Sequence, residues 1–272
     1  MLAPRFALFT SADNGLLQSE PAISDALAEI ARRRVPLVLA TAGTRAQLEP
    51  LRQKLEHAHP FITESGGAIF FPDGYFSLRL EGAVRVARYF CAPFGKPYAA
   101  VTAALEEIAL RAGTEVVGYS QMSARDIARN TGEPLRAAEL ARQREFSERF
   151  FFAGDVAEAP ARFAAVARES GWELAGAPPF WELRSGNSPA AALRYLMRLY
   201  RASQHSRLRS VAIGSAASDL PLLAAADHAI LLPPRRGEFD ATLVAKLPRA
   251  DHAGEPGPSG WNLAVLKMIE PA

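Results

Sequence analysis

The feature that most constrains this chain is a repeated local pattern. A short apolar run ends in small hydroxyl-bearing or glycine residues, and a segment of helical period follows. Residues 6–10 and 35–40 are such runs, closing on Thr10-Ser11-Ala12-Asp13 and on Thr41-Ala42-Gly43-Thr44. Residues 23–34 carry Ile23, Leu27 and Ile30 on one helical face, and residues 44–55 carry Leu48, Leu51 and Leu55. A continuous apolar run suits a strand buried on both faces, and strands alternating with helices predict a parallel sheet covered by helices. After a short strand at 61–63, Gly66-Gly67 turns the chain into another at 68–71. The last third returns to the pattern, with helices at 189–200, 220–226 and 261–269 and strands at 210–213 and 228–232.

The middle of the chain reads differently. Helices are predicted at 97–111, 123–129 and 134–144, then a strand at 150–152, a helix at 160–169 and strands at 172–174 and 180–183. Ser123 and Asp126 stand in capping-box positions. Without strict alternation this stretch predicts an α+β insert. The expected organisation is a core of residues 1–80 and 186–272 interrupted by a second domain of residues 81–185.

With 272 residues, 49% of them hydrophobic, the chain has enough apolar surface to bury such a core. Its formal charge is only +2, which argues against a nucleic-acid binder working by bulk charge. No apolar run is long enough for a membrane span, and the first residues lack a signal-peptide pattern. A soluble cytoplasmic protein is expected. Cys91 is the single cysteine, which removes disulfides and cysteine-rich metal clusters, and an inert, partly buried thiol is expected. The five histidines are scattered, so no metal site is expected from them. Trp172 and Trp181 are expected in the core of the insert.

In an open α/β sheet, ligands bind beyond the carboxyl ends of the strands. Three small, polar strand ends therefore matter: Thr10 to Gly15, Thr41 to Thr44, and Gly214 to Asp219. Backbone N–H groups at such turns suit an anion.

These motifs resemble the haloacid-dehalogenase (HAD) superfamily of phosphatases, in the subclass with an inserted α+β cap of type C2B. Phe9 to Leu17 sits where that family has Thr-Asp-X-Asp-Gly-Thr-Leu-Leu. The segments Phe61 to Ile69, Gly95-Lys96-Pro97-Tyr98, Ala138 to Glu148 and Gly257 to Asn262 resemble the mannosyl-3-phosphoglycerate phosphatase family within it. The resemblance implies a Rossmann-like core, Mg²⁺ as cofactor, and a phosphorylated sugar or glycerate as ligand. It implies phosphate binding at Thr41, Gly43 and Thr44, an acid/base role for Asp13, and substrate contacts from Arg142, Gln143, Arg144 and Ser147.

The departures from that pattern carry equal weight. The nucleophile position holds Ser11, the lysine position holds Pro189, and the metal-binding aspartate position holds Ser215, leaving Asp219 as a weak ligand. No carboxylate precedes Asp13, none lies from Leu183 through Ser218, and no lysine lies between Lys96 and Lys246. Arg184 or Arg194 is a candidate to replace the lysine charge. The sequence thus predicts a phosphatase scaffold whose Mg²⁺-dependent catalysis is marginal or lost, kept for binding a phosphorylated ligand or a protein partner. A working hydrolase with a non-standard site is the alternative.

Overall fold

The computed structural model describes residues 6–13, 17, 20–77, 80, 82–154, 157–204, 208–233 and 238–269. Asn14, Gly15 and Leu16 of the first motif, Glu81 at the expected domain boundary and His205 lie outside the described residues.

The chain begins with β1 (Phe6–Ser11), α1 (Glu20–Arg32), β2 (Leu37–Ala40), α2 (Arg45–Lys54), β3 (Phe61–Thr63), β4 (Ala68–Pro72), β5 (Val84–Val86) and β6 (Tyr89–Pro93). An inserted stretch follows: α3 (Tyr98–Ala112), β7 (Glu115–Gly118), α4 (Ala124–Thr131), α5 (Leu135–Ala141), β8 (Ser147–Ala153), α6 (Ala159–Glu169), β9 (Glu173–Ala177) and β10 (Phe180–Arg184). The chain closes with α7 (Pro189–Gln204), β11 (Arg209–Gly214), α8 (Leu220–Ala225), β12 (His228–Leu231), α9 (Ala241–Lys246), β13 (Asp251–His252) and α10 (Gly257–Ile269).

Nine strands form one sheet in the order β13-β12-β11-β1-β2-β3-β4-β6-β5. From β13 to β3 all pairs are parallel. The period-two alternation of the strands sorts their side chains onto two faces. Leu8, Leu37, Leu39, Val211 and Ile213 join Ile23 and Ile30 of α1 and Trp261 and Val265 of α10 on one face. Ala7, Phe9, Val38, Ile62 and Ala212 join Leu193, Leu196 and Met197 of α7 and Leu222 of α8 on the other. The Trp261 Nε1–H donates to Thr10 Oγ1 at 3.0 Å and ties α10 to the end of β1.

The parallel sheet expected from the alternation is present from β13 to β3, and β4, β6 and β5 extend it antiparallel. The reason is the tight reversal after β3, where Glu64, Ser65 and Gly66 all take positive φ (49°, 54° and 83°). A reversal that short leaves no room for the crossover a parallel pair requires. Residues 84–93, within the span expected of the insert, accordingly pair with the nine-stranded sheet. Four strands, β7-β8-β10-β9, form a separate antiparallel sheet. Phe150, Phe152 and Leu183 pack its inner face against Val101, Leu105 and Ile108 of α3 and Phe163 of α6. The capping box of Ser123 and Asp126 opens α4 as its sequence predicts.

Candidate functional site

β1 lies between β2 and β11, and all three run in the same direction. Their carboxyl ends therefore deliver Asp13, Thr41 and Asp219 to one edge of the sheet. The second sheet stands over that edge, and between them lies a cleft of about 660 Å³. Asp13, Thr41, Gly43, Ser65, Pro189 and Asp219 line it from one side, and Arg149, Phe180, Trp181, Glu182 and Arg184 from the other.

Asp13 is fixed by β2. Thr41 Oγ1 donates to Asp13 Oδ1 at 2.6 Å, and the Ala42 N–H donates to Oδ2 at 3.0 Å. The Gly43 N–H in turn donates to Thr41 Oγ1 at 2.8 Å. Burial pushes the Asp13 carboxyl above the usual carboxylate range, and nearby Asp219 adds to the shift. The two hydrogen bonds and Arg149 oppose it without cancelling it.

Asp219 sits at the end of a short turn after β11. Its Oδ2 accepts from the Ser215 N–H at 2.8 Å and the Ala216 N–H at 3.1 Å. A Cβ on Gly214 would approach Asp219 Cβ to 2.7 Å, so glycine there permits the close fold-back. Burial raises the Asp219 carboxyl too, against the two backbone N–H groups and the hydroxyl of Ser11. Ser11 itself is 2% exposed, and its Oγ accepts from the Asp13 N–H at 3.4 Å. It does not line the cleft.

Several residues singled out in the sequence lie apart from the cleft lining. Thr44 caps α2: its N–H donates to Gln47 Oε1 at 2.9 Å and its hydroxyl to the Leu140 carbonyl at 2.8 Å. Both donors are committed, and Thr44 is absent from the cleft lining. The helix expected over 134–144 ends at Ala141, so Arg142 and Gln143 follow it as exposed residues away from the cleft. Arg144 and Ser147 are buried in a junction between the two sheets. Glu64 accepts there from the Glu145 N–H at 2.7 Å, the Phe146 N–H at 2.9 Å and Ser147 Oγ at 2.6 Å. Arg144 pairs with Glu182 at 2.7 Å and approaches Glu64 at 3.8 Å. Burial alone would lower the Arg144 guanidinium, but Glu182 and Glu64 hold it up, so it stays charged. Asn187 completes the junction by donating to the Glu64 carbonyl at 2.8 Å.

The structure brings two arginines to the cleft instead. Arg184 lines it and Arg194 is exposed away from it, while Pro189 occupies the wall where the resemblance places a lysine. Arg149 is a residue that sequence reasoning missed. The available signal was the alternation along residues 147–153, in which Phe150 and Phe152 are inward and Arg149 faces away from them.

The other residues singled out in the sequence are placed as follows. His57 Nδ1 accepts from Arg52 Nε at 3.1 Å and its Nε2 pairs with the Leu37 carbonyl at 2.7 Å, a core role. Among the described residues no group of three or more His, Cys, Asp or Glu side chains forms a metal cluster. Cys91 is fully buried rather than partly, and burial pushes its thiol up to about 12. Trp181 packs on Phe152 and reaches the cleft as well, while Lys96 lies over the half-buried Trp172 ring. No described helix is long and apolar enough to cross a membrane.

Comparison with known proteins places this geometry. No family model matches the chain. A glucosyl-3-phosphoglycerate/mannosyl-3-phosphoglycerate phosphatase of Methanococcoides burtonii is 32% identical over 266 residues, covering 96% of both chains. A protein of the same name from Persephonella marina is 27% identical over 271 residues, again covering 96% of each. Among solved structures, a haloacid dehalogenase-like hydrolase from Bacteroides thetaiotaomicron superposes with a TM-score of 0.64 at 16% identity, covering 97% of this chain and all of the other. A HAD subclass IIB sugar phosphatase gives a TM-score of 0.64 at 15% identity, with 97% and 100% covered. The structural likeness shows the fold, a Rossmann-like core with a cap. Sequence identity along nearly the full length carries the assignment further: the chain belongs to the glucosyl-3-phosphoglycerate/mannosyl-3-phosphoglycerate phosphatase family of the HAD superfamily.

Proposed function

We propose that this protein binds a phosphorylated sugar or glycerate in the cleft and hydrolyses it marginally or not at all. The observation that carries the reading is Ser11. The family pattern puts a carboxylate nucleophile at that position, and here a hydroxyl stands there, 2% exposed and bonded to its neighbours. A serine hydroxyl attacks phosphorus only when a base takes its proton and the oxygen is in reach. Ser11 is 2% exposed and does not line the cleft, which supports the reading that its oxygen is out of reach.

The donor set argues the same way about Mg²⁺, the cofactor that the fold family implies. That ion requires several hard oxygens in near-octahedral array, with carboxylates among them. Two of the family's ligand positions hold the neutral Ser11 and Ser215. Asp13 and Asp219 are the carboxylates that remain on this edge of the cleft. These residues do not fit a tight Mg²⁺ site. The anion-binding side is better kept. Arg149 and Arg184 bring cations to the cleft opposite Asp13 and Thr41, which supports anion binding there.

The test is calorimetric binding and phosphate release side by side, with mannosyl- and glucosyl-3-phosphoglycerate and millimolar Mg²⁺. Saturable ligand binding with turnover below about 10⁻³ s⁻¹ supports the proposal, set against ordinary enzyme rates of about 1 s⁻¹ and above. Turnover in that ordinary range, abolished by Asp13→Asn, overturns it and establishes the alternative of a working, non-standard hydrolase.

A further inference from the structure

The inserted unit, residues 98–184, joins the nine-stranded sheet through two short crossings, residues 94–97 and 185–188. Both crossings hang on the turn after β3. The Phe94 and Gly95 N–H groups donate to the Gly67 carbonyl at 2.8 and 2.9 Å, and the Ser188 N–H donates to the Gly66 carbonyl at 3.2 Å. Glu64 binds residues 145–147 beside them, and Phe146 is buried in the core of the nine-stranded sheet. These buried contacts make one pivot. A second contact runs outward from it, where α5 packs beside α2. Its bonds are polar: Thr44 Oγ1 donates to the Leu140 carbonyl at 2.8 Å, and Arg45 forks onto both oxygens of Glu145 at 3.2 Å each. Among the described residues no apolar cluster spans these two helices. Leu48 and Leu51 of α2 pack into the nine-stranded sheet, and Ala138 and Ala141 of α5 into the inserted unit.

The bonds of this second contact can part with little loss. The Leu140 carbonyl also accepts from the Gln143 N–H at 3.1 Å, and Thr44 Oγ1 also accepts from the Gln47 N–H at 3.1 Å, so separation orphans neither oxygen. The Arg45 and Glu145 side chains are 23% and 22% exposed, so water and salt reach the pair, whereas Arg144 and Glu64 at the pivot are buried. Two bodies joined by two crossings and a polar contact turn about the crossings by default. The contact also borders the cleft: Gly43 of the cleft lining precedes Thr44, and Glu133, which lines the cleft too, connects α4 to α5. We propose that the α2–α5 contact is a releasable latch. Arg45–Glu145 and Thr44–Leu140 hold the inserted unit down over the cleft. Their release lets that unit turn about the pivot at Glu64–Gly67 and opens the Thr41–Thr44 side to solvent. The device does not depend on which ligand the cleft takes.

The experiment measures the distance between spin labels on Gln53→Cys and Arg129→Cys in the full-length protein by pulsed electron paramagnetic resonance. Gln53 on α2 and Arg129 on α4 are exposed, and the fully buried Cys91 stays unlabelled. The labelled parent at low salt is expected to give one main distance. Arg45→Met, which keeps an unbranched stem beside the Phe70 ring, and Glu145→Gln are each expected to raise a longer-distance population by about two- to fivefold, the scale of losing a partly exposed ion pair. The double variant should go no further than either single one, because the two side chains act as one bond. Sodium chloride at about 1 M should open the parent and leave the double variant unchanged. Thermal melts check that each variant keeps its fold. Identical distributions in the parent, in both single variants and in high salt overturn the latch. A broad parent distribution that neither variant changes overturns it too. So do two single effects that simply add in the double variant, since Arg45 and Glu145 then act separately.

Discussion

Thr41 donates its hydroxyl proton to Asp13 Oδ1 at 2.6 Å, so the second strand end holds the acid that the first strand end presents. With the Ala42 N–H on the other oxygen, both carboxylate oxygens are anchored to the loop after β2. Asp13 is thereby oriented yet still raised, because burial outweighs its donors.

That balance gives a pH dependence for anion binding. Sulfate keeps its charge across the neutral and mildly acidic range, so only the protein titrates. As pH falls, Asp13 and Asp219 take up protons earlier than ordinary carboxylates would, and negative charge leaves the cleft. Sulfate affinity should rise as pH is lowered toward the carboxylate range, by roughly tenfold, as expected for removing one like charge at a few ångströms in an intermediate dielectric. In Asp13→Asn the rise should be much smaller. Affinity falling with decreasing pH in wild type contradicts the assignment of the anion to this cleft.

The residues that carry the sequence resemblance between 142 and 148 do a different job from the one their motif suggests. Arg144 and Ser147 serve Glu64, a residue eighty or more positions earlier in the chain, at the junction of the two sheets. Glu64→Ala would leave a buried guanidinium underpaired and orphan two N–H groups and a hydroxyl. A loss of about 3–5 kcal/mol in urea unfolding is expected, with Glu64→Gln milder at about 1–2 kcal/mol. Hydrogen exchange at Glu145 and Phe146 should accelerate in both. A change under about 0.5 kcal/mol, the level of an ordinary surface substitution, would return these residues to a ligand-facing role.

These two cases show what was legible in the sequence. β1, β2 and β11 announce themselves because a strand buried on both faces is apolar at every position, and parallel neighbours must bring their polar ends together. Asp13, Thr41 and Asp219 could therefore be placed on one edge without coordinates. Arg144 could not be assigned to the junction, because its burial depends on ion pairs with Glu64 and Glu182, both distant in sequence. Arg149 was equally hidden: only the register of β8 with β10 reveals that its cross-strand carboxylate is already taken. The antiparallel β5 was missed for another reason. Val84 to Val86 is short and largely exposed, so it lacks the apolar continuity that marks the central strands.

His57 predicts an acid-sensitive fold. Burial, aided by the Arg52 charge, pushes its imidazole down from 6.5 to about 3. The unfolded chain binds a proton on this residue below about 6.5 that the folded protein refuses until about 3. Stability is therefore full above the unfolded value and falls as pH drops through that window, by an amount on the order of 4 kcal/mol over its full span. His59, lowered to about 4 by burial and Arg52, adds in the same direction. His57→Gln should flatten the acid limb of a stability–pH curve, and the double variant with His59→Gln should flatten it further. An acid limb identical to wild type in the double variant would assign the sensitivity to other groups.

Restoration tests the proposed loss of chemistry most directly. Ser11→Asp places a third carboxylate beside Asp13 and Asp219, in a site where burial already disfavours two. Without metal, that single change should cost about 2–3 kcal/mol of stability. Millimolar Mg²⁺ should recover much of it, because a divalent ion now finds a charged ligand set. Ser215→Asp completes that set, and Pro189→Lys returns a cation to the cleft wall, at the risk of shifting the first turn of α7. Each change alone should leave phosphate release from mannosyl-3-phosphoglycerate at the unmodified level, since catalytic groups that act as one unit are not additive. The triple variant should gain Mg²⁺-dependent release of at least about 10³-fold, well beyond the product of the single effects. A triple variant that folds, binds Mg²⁺ and still shows no gain would mean that the scaffold beyond these three positions has lost its fit to the reacting phosphate. A gain from Ser11→Asp alone would instead show that Asp219 and its neighbours hold the metal adequately, and that one substitution separates this protein from catalysis.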